Sequence, residues 1–370
     1  MSISDIPAKM LAAQVVEFNQ PHKIHTIPTP TSLGSHDLLL KTAVASLCHT
    51  DSMVTAGRMG TPLPCTASHE GTGTVIATGA SVLPNDFKPG DRVMAGLPRS
   101  RCANCADCRG PDKLKHYCAH VQGYVGVTLD GAFAEYMVVD ARESSRIPDS
   151  VAWETAAPLA CAGVTVWGGL LRADLKAGET VALVGAGGGL GHLGCRFAKA
   201  LGLRVVGIEA REEALRLARE CGADVVVDAR KGDEEVVKEV QKVTEGRGAD
   251  ATLNLSDADT AAGLACKVTK MHGLMVQIAQ PPSVSIPMEQ FIFRDIRVHG
   301  SLLASRTDAQ RMLDLVAAEN ITVKTNPFFG LRQLPRLIEL AQSGQMAGKG
   351  VLVMDEGEEA GVRERLGVRS

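Results

Sequence analysis

The stretch from residue 180 to residue 209 constrains the fold of this chain more than any other. It reads as a Val-rich strand, Thr180–Val184, a turn spelled Gly185-Ala-Gly-Gly-Gly-Leu-Gly191, an apolar-periodic helix over 190–201, a second strand over 204–208, and an acid, Glu209. A strand, crossover helix and strand of this length pair in parallel, and parallel strands covered on both faces read as continuous apolar runs. The pattern continues, with strands over 224–227, 251–255, 273–278 and 296–300 and helices over 211–221 and 234–244. Such alternation predicts an α/β fold with a doubly wound parallel sheet. A glycine turn between strand and helix also has a chemical use. Backbone N–H groups at Gly185, Gly188, Gly189, Leu190 and Gly191 can face a pyrophosphate at a helix N-terminus, where the dipole favours negative charge. Glu209, closing the next strand, stands where a carboxylate meets a ribose diol and repels a 2′-phosphate, so NAD is expected over NADP. Arg211, two residues on, softens that preference.

The chain has 370 residues, too many for one compact core, and its texture divides it. Up to about residue 160 the apolar stretches are short, over 37–45, 71–78 and 133–139, which predicts an irregular β-rich domain. Helices are expected over 154–162, 166–172, 308–318 and 334–343, and a closing strand over 350–354. The expected division is a catalytic domain of residues 1–163, completed by 308–370, around a nucleotide-binding domain of 164–307. The acidic, Arg-rich tail from Asp355 has no apolar period and is expected to be a loose end. A net charge of −3 with no long basic run argues against a nucleic-acid or anionic-membrane partner. No secretory h-region and no apolar run long enough to span a bilayer is evident, so a cytoplasmic location is expected.

Ten cysteines in such a chain point to metal rather than to disulfides. Cys102, Cys105 and Cys108 lie three apart, with Cys118 ten residues on. Three thiolates from one loop and a fourth beyond it make a closed tetrahedral zinc site, which leaves no position for substrate and is therefore structural. His116 competes with Cys118 for the fourth position. A second constellation is Cys48, His69 and Cys161. Two thiolates and one imidazole form a catalytic zinc set with one position open. Taken singly, Cys48 and Cys161 read as buried core thiols and His69 as a packed or surface histidine; spacing alone does not connect them.

The connection comes from resemblance. Cys48-His-Thr-Asp51, Ser68-His-Glu-Gly-Thr-Gly73, the Cys102/Cys105/Cys108 cluster, Ala157-Pro-Leu-Ala-Cys-Ala-Gly-Val-Thr165, the glycine turn and Gly348-Lys-Gly-Val-Leu-Val353 together resemble the zinc-containing medium-chain alcohol dehydrogenases, especially their yeast-type branch. The resemblance implies a GroES-like broken β-barrel catalytic domain with a Rossmann domain. It also implies two zinc ions per chain, NAD, and a small alcohol or carbonyl substrate in a homo-oligomer, dimer or tetramer. Cys48, His69 and Cys161 would then hold the catalytic zinc, with Glu70 as a nearby carboxylate that can approach it. Thr50 would hydrogen-bond the alcohol, His49 and Lys349 would serve the pyrophosphate, and Thr165 would lie near the nicotinamide. The segment 286–300 would extend a sheet across subunits.

Three departures from the family pattern bear on chemistry. Met53 stands where many relatives carry a proton-relaying histidine, and a thioether cannot carry a proton. The stretch 55–64 and the position of Leu97 lack the tryptophans that narrow the pocket in ethanol-using relatives, so a bulkier alcohol is expected. The cysteine loop is about two residues longer than usual, which keeps His116 in play, although Cys118-Ala-His120 matches the family's wording after the fourth cysteine. Other readings are a polyol dehydrogenase, whose third zinc position is usually not cysteine, and a zinc-stabilised NAD-binding protein without turnover.

Overall fold

A computed structural model describes residues 6–368. The chain forms two compact units, one of residues up to Cys161 together with those from Ser305 onward, the other Ala162–Ala304.

The first unit is built on a seven-stranded sheet ordered Ser145–Arg146, Arg92–Met94, Glu70–Thr78, Asp37–Leu47, Lys349–Val353, Thr325–Phe329, with Tyr136–Asp140 also pairing with Asp37–Leu47. The long strand Asp37–Leu47 is buried almost throughout because it has neighbours on every side: Glu70–Thr78, Tyr136–Asp140 and Lys349–Val353 all pair with it antiparallel. A second sheet joins Lys23–Pro28, Lys9–Val15 and Cys65–Thr66. Between these strands lies an apolar core that includes Leu38, Leu40, Phe87, Phe133 and Met137. The register sets the site: Gly350 pairs with Leu47, and Ser46 with Glu70, so the ends of three strands meet at one place.

The second unit is a six-stranded parallel sheet ordered Val225–Asp228, Arg204–Glu209, Thr180–Val184, Ala249–Asn254, Thr269–Gln277, Arg297–Gly300. In chain order this is 3-2-1-4-5-6, the doubly wound arrangement whose ligand crevice opens where the winding reverses, beside the first strand. Thr180–Val184 is buried at all five residues, as a central parallel strand must be. The last strand, Arg297–Gly300, is an exposed sheet edge. Of the segment 286–300, only these four residues are strand; Met288–Ile292 is a short helix.

Three expectations change. The two helices read over 154–172 are one continuous run, Trp153–Ala173, whose middle, Leu159–Gly163, is a π turn. Pro158 explains the break: it lacks the N–H that an α-helix requires at that position, and such helices widen locally. That 21-residue run is long and apolar enough to cross a membrane by length and composition, contrary to the sequence reading. However, 78% of its apolar window is buried inside the protein, as in a core helix. The tail from Asp355 is not loose. Glu356–Leu366 is a helix capped by the Asp355 carboxylate, with acids in its first turn and arginines in its last, the arrangement the helix dipole favours.

Candidate functional site

Cys48, at the N-cap of helix His49–Thr55, follows directly from strand Asp37–Leu47. His69 immediately precedes strand Glu70–Thr78, which Glu70 opens, and Cys161 sits in the π turn behind Pro158. These four residues, spread over more than 110 positions, bring two sulfurs, one imidazole nitrogen and one carboxylate oxygen within 4.8 Å of one another. His69 and Glu70 are fully enclosed. Thr50 places its hydroxyl 3.8 Å from the Cys48 sulfur. His49 is exposed on the same short helix.

Two residues without an assigned role in the sequence reading hold the cluster together. Asp51, itself buried, accepts hydrogen bonds from the Cys48 N–H at 2.8 Å and from the Ser68 N–H at 3.0 Å. One carboxylate thus ties the segment of Cys48 to the segment of His69. Its other neighbour is His69, whose Nδ1 lies 3.9 Å away, too long for a hydrogen bond. That nitrogen has no hydrogen-bond partner among the described residues. Ser68 adopts a left-handed backbone, φ +69°, uncommon for a residue with a side chain, and its hydroxyl donates to the Ser46 carbonyl at 2.9 Å. Asp51 was legible in principle, since an acid three residues after the first helical N-cap is a capping pattern. Ser68 carries no such signal.

Lys349 is placed differently from the expectation. The residue is 4% exposed, and its ammonium donates to the Leu47 carbonyl at 2.8 Å and pairs with Glu70 at 2.7 Å, so it serves the cluster rather than standing open to a pyrophosphate. The electrostatics follow from this packing. Burial pushes Glu70 up to about 7, against the pull of Lys349. The Cys161 hydrogen bond, Lys349 and His69 hold the Cys48 thiol well below its ordinary value, while Cys161 is raised by that same hydrogen bond and by burial. Burial opposes charge on His69, but the Cys48 sulfur outweighs it and lifts the imidazole to about 9. Without a cation, the His69 and Cys161 protons balance the Cys48 thiolate, and a cation held by the same atoms would displace them.

The second cluster is Cys102, Cys105, Cys108 and Cys118, with sulfur separations of 3.9 Å (102 to 108), 3.8 Å (105 to 118) and 3.6 Å (118 to 102). Zinc–sulfur bonds of about 2.3 Å in a tetrahedron require edges of about 3.8 Å. The sulfurs therefore fit a closed zinc site. Backbone N–H groups of Cys105 and Cys108 point at the sulfurs of Cys102 and Cys105. His116 stays outside this group, buried against Tyr117 with ring centres 4.5 Å apart. The loop is braced at its start by Arg99 on Asp37, Arg101 on Glu143 and Ser100 on Asp140.

In the second unit, Gly185 has φ +89° and its N–H reaches the Ile208 carbonyl. A Cβ at Gly187 would overlap the Ala214 carbonyl, and one at Gly191 would overlap that of Gly185, so the turn can close only with glycine there. Gly188, Gly189 and Leu190 are partly exposed ahead of helix Gly191–Ala200. Glu209 folds back on the turn, accepting from the Gly187 N–H at 3.2 Å and the Ala210 N–H at 2.8 Å. Arg211 is exposed at the start of helix Glu212–Glu220, and Thr165 is partly buried in the first turn of Val164–Ala173.

Comparison with known proteins agrees with this architecture. Residues 34–149 match the family model described as alcohol dehydrogenase GroES-like domain, and residues 189–318 the one described as zinc-binding dehydrogenase. The chain is 34% identical to alcohol dehydrogenase 1 of Emericella nidulans over 95% of its length and 99% of the relative's. It is 32% identical to the alcohol dehydrogenase of Schizosaccharomyces pombe over 94% and 98%. Among solved structures, the alcohol dehydrogenase of the archaeon Aeropyrum pernix superposes with a TM-score of 0.82 at 27% identity, covering 93% of this chain and 99% of that one. With two sulfurs, an imidazole and a carboxylate gathered in a GroES-like unit and a glycine turn on a Rossmann sheet, the chain belongs to the zinc-containing medium-chain alcohol dehydrogenase family.

Proposed function

We propose that the protein is a cytoplasmic, NAD-preferring alcohol dehydrogenase that interconverts an alcohol bulkier than ethanol with its aldehyde or ketone, and that it carries two zinc ions per chain. The observation that supports this most is the convergence of Cys48, His69, Glu70 and Cys161 within 4.8 Å. A zinc ion held there supplies Lewis acidity, which acidifies an alcohol hydroxyl or polarises a carbonyl. NAD supplies the hydride acceptor.

The chain's own residues do the rest. Cys48, His69 and Cys161 hold the ion, and Glu70, tethered by Lys349, stands beside it. Thr50 receives the hydroxyl proton at its Oγ1. Met53, one helical turn further on, cannot pass that proton on, so it leaves through cofactor ribose hydroxyls or water. His49 serves the pyrophosphate with the backbone N–H groups of Gly189, Leu190 and Gly191, while Gly185 and Gly188, whose own N–H groups donate to the Ile208 and Gly185 carbonyls, shape the turn. Thr165 orients the nicotinamide, and Glu209 binds the ribose diol with Arg211 nearby. None of the ten cysteines is in a disulfide among the described residues, which is consistent with a reducing compartment. The exposed Phe291, Ile292, Phe293 and Val298 beside the sheet edge support a homo-oligomer.

The test is metal analysis together with NADH formation on a panel of primary, secondary and aromatic alcohols. Two zinc per chain and turnover with NAD are expected. Cys161→Ser should lose one zinc and nearly all turnover while keeping the native circular dichroism spectrum; undiminished activity in that variant would remove Cys161 from the site.

A further inference from the structure

The helix that delivers Cys161 is intrinsically weak where it matters. Pro158 provides no N–H for the Glu154 carbonyl four residues earlier, and the backbone then opens into the π turn that carries Cys161. The first turn of this helix is fastened instead by a side chain from far along the chain. Arg365 grips both carboxylate oxygens of Glu154, at 2.8 and 3.0 Å. The Glu154 side chain is 4% exposed, whereas that of Arg365 is 44% exposed, so the arginine reaches in from solvent to meet a buried acid. The helix that bears Arg365 is itself firmly docked: Val362 is fully buried, Arg363 stacks 3.7 Å from the Phe329 ring centre, and its Asp355 cap pairs with Lys41 at 2.8 Å. Beside Glu154, Trp153 is held under Arg92, whose guanidinium lies 4.1 Å from the ring centre and donates to three carbonyls of the preceding loop, those of Pro148, Asp149 and Val151.

We propose that Arg365 is a positioning residue for Cys161: by its two-pronged grip on Glu154, the helix Glu356–Leu366 fixes the start of the segment whose π turn presents Cys161 to the first metal cluster. Cys161 lies seven positions after Glu154, about two helical turns, so a shift of the first turn is carried to the sulfur. This inference rests on the reading of that cluster as a metal site.

The experiment uses the full-length, zinc-loaded protein and follows zinc release to a chelator. Cys161→Ser, which keeps the four-cysteine ion alone, supplies the reference trace for the structural site. In Arg365→Ala the ion of the Cys48 cluster should leave about tenfold faster, as losses of outer-shell support typically do, while release from the four cysteines stays at the native rate. Arg365→Lys, which retains charge but not the fork, should fall between the two. Added zinc should restore kcat in both variants with KM unchanged. Equal acceleration of both ions together with a general fall in melting temperature would show a merely structural role and overturn the proposal, as would native release rates in both variants. Should Arg365→Ala not fold, Arg365→Lys decides by the same readout. A native protein whose release trace matches that of Cys161→Ser would instead defeat the metal reading itself.

Discussion

At the scale of single residues, the site depends on polar groups that have been taken out of water and given partners. Asp51 satisfies two buried backbone N–H groups at once. Asp51→Ala leaves both unpaired, and at about 1–3 kcal/mol for each orphan the variant should lose about 2–6 kcal/mol of stability. Asp51→Asn keeps an acceptor and should lose roughly half as much; thermal unfolding of the pair against the native protein checks the ranking. Glu209 shows the same economy of contact, one carboxylate on the backbone of its own turn and of the glycine loop. Removing its charge should admit a 2′-phosphate, so Glu209→Gly is expected to raise kcat/KM with NADP relative to NAD. An unchanged ratio would mean that this acid does not meet the ribose. His22 provides the pH-sensitive case. Burial lowers its imidazole from 6.5 to about 4, beside the Phe133 ring. Between those values the unfolded chain binds the extra proton and the native one does not, so stability is full above pH 6.5 and falls as pH drops towards 4. The loss is at most about 3 kcal/mol, less to the extent that water reaches the ring. His22→Phe should flatten this part of the pH–melting-temperature curve.

Elements add what residues cannot. The loop 102–118 has little regular structure of its own, a four-residue helix and a 3-10 segment, and four sulfurs at tetrahedral spacing stand in for a hydrophobic core. Cys105→Ser should therefore lower the melting temperature and release one zinc, with the order of preference among alcohols unchanged; a changed order at native stability would contradict a structural role. The glycine turn is the converse, an element whose geometry was readable. Its strand, turn, helix and acid follow in the order found, because each has a local signature in composition and period. The helical run Trp153–Ala173 was readable only in part. Apolar periodicity marks both ends, but nothing in the residues distinguishes a π turn from a loop, and that turn is where Cys161 lies. The helix Glu356–Leu366 was missed for a related reason: a single buried valine and two arginines anchor it, and so few contacts make no apolar stripe.

For the molecule as a whole, local patterns in the sequence determined a great deal by themselves. The parallel sheet, the nucleotide turn, the β-rich first part and the cysteine loop are built from segments that each leave a periodic or spaced trace of their own in the residues. Family resemblance, more than spacing, named Cys48, His69 and Cys161 together. Tertiary structure alone decided that three strand ends and a π turn converge there, that Lys349 pairs with Glu70, that Asp51 and Ser68 brace the two sides, and that Cys118 rather than His116 joins the sulfur group. These contacts join residues 17 to 302 positions apart, or depend on which of two neighbours in one loop the fold turns toward the other sulfurs. Their partners are selected by strand register and by the cost of leaving a buried charge alone, and neither quantity is written in the order of residues at either end.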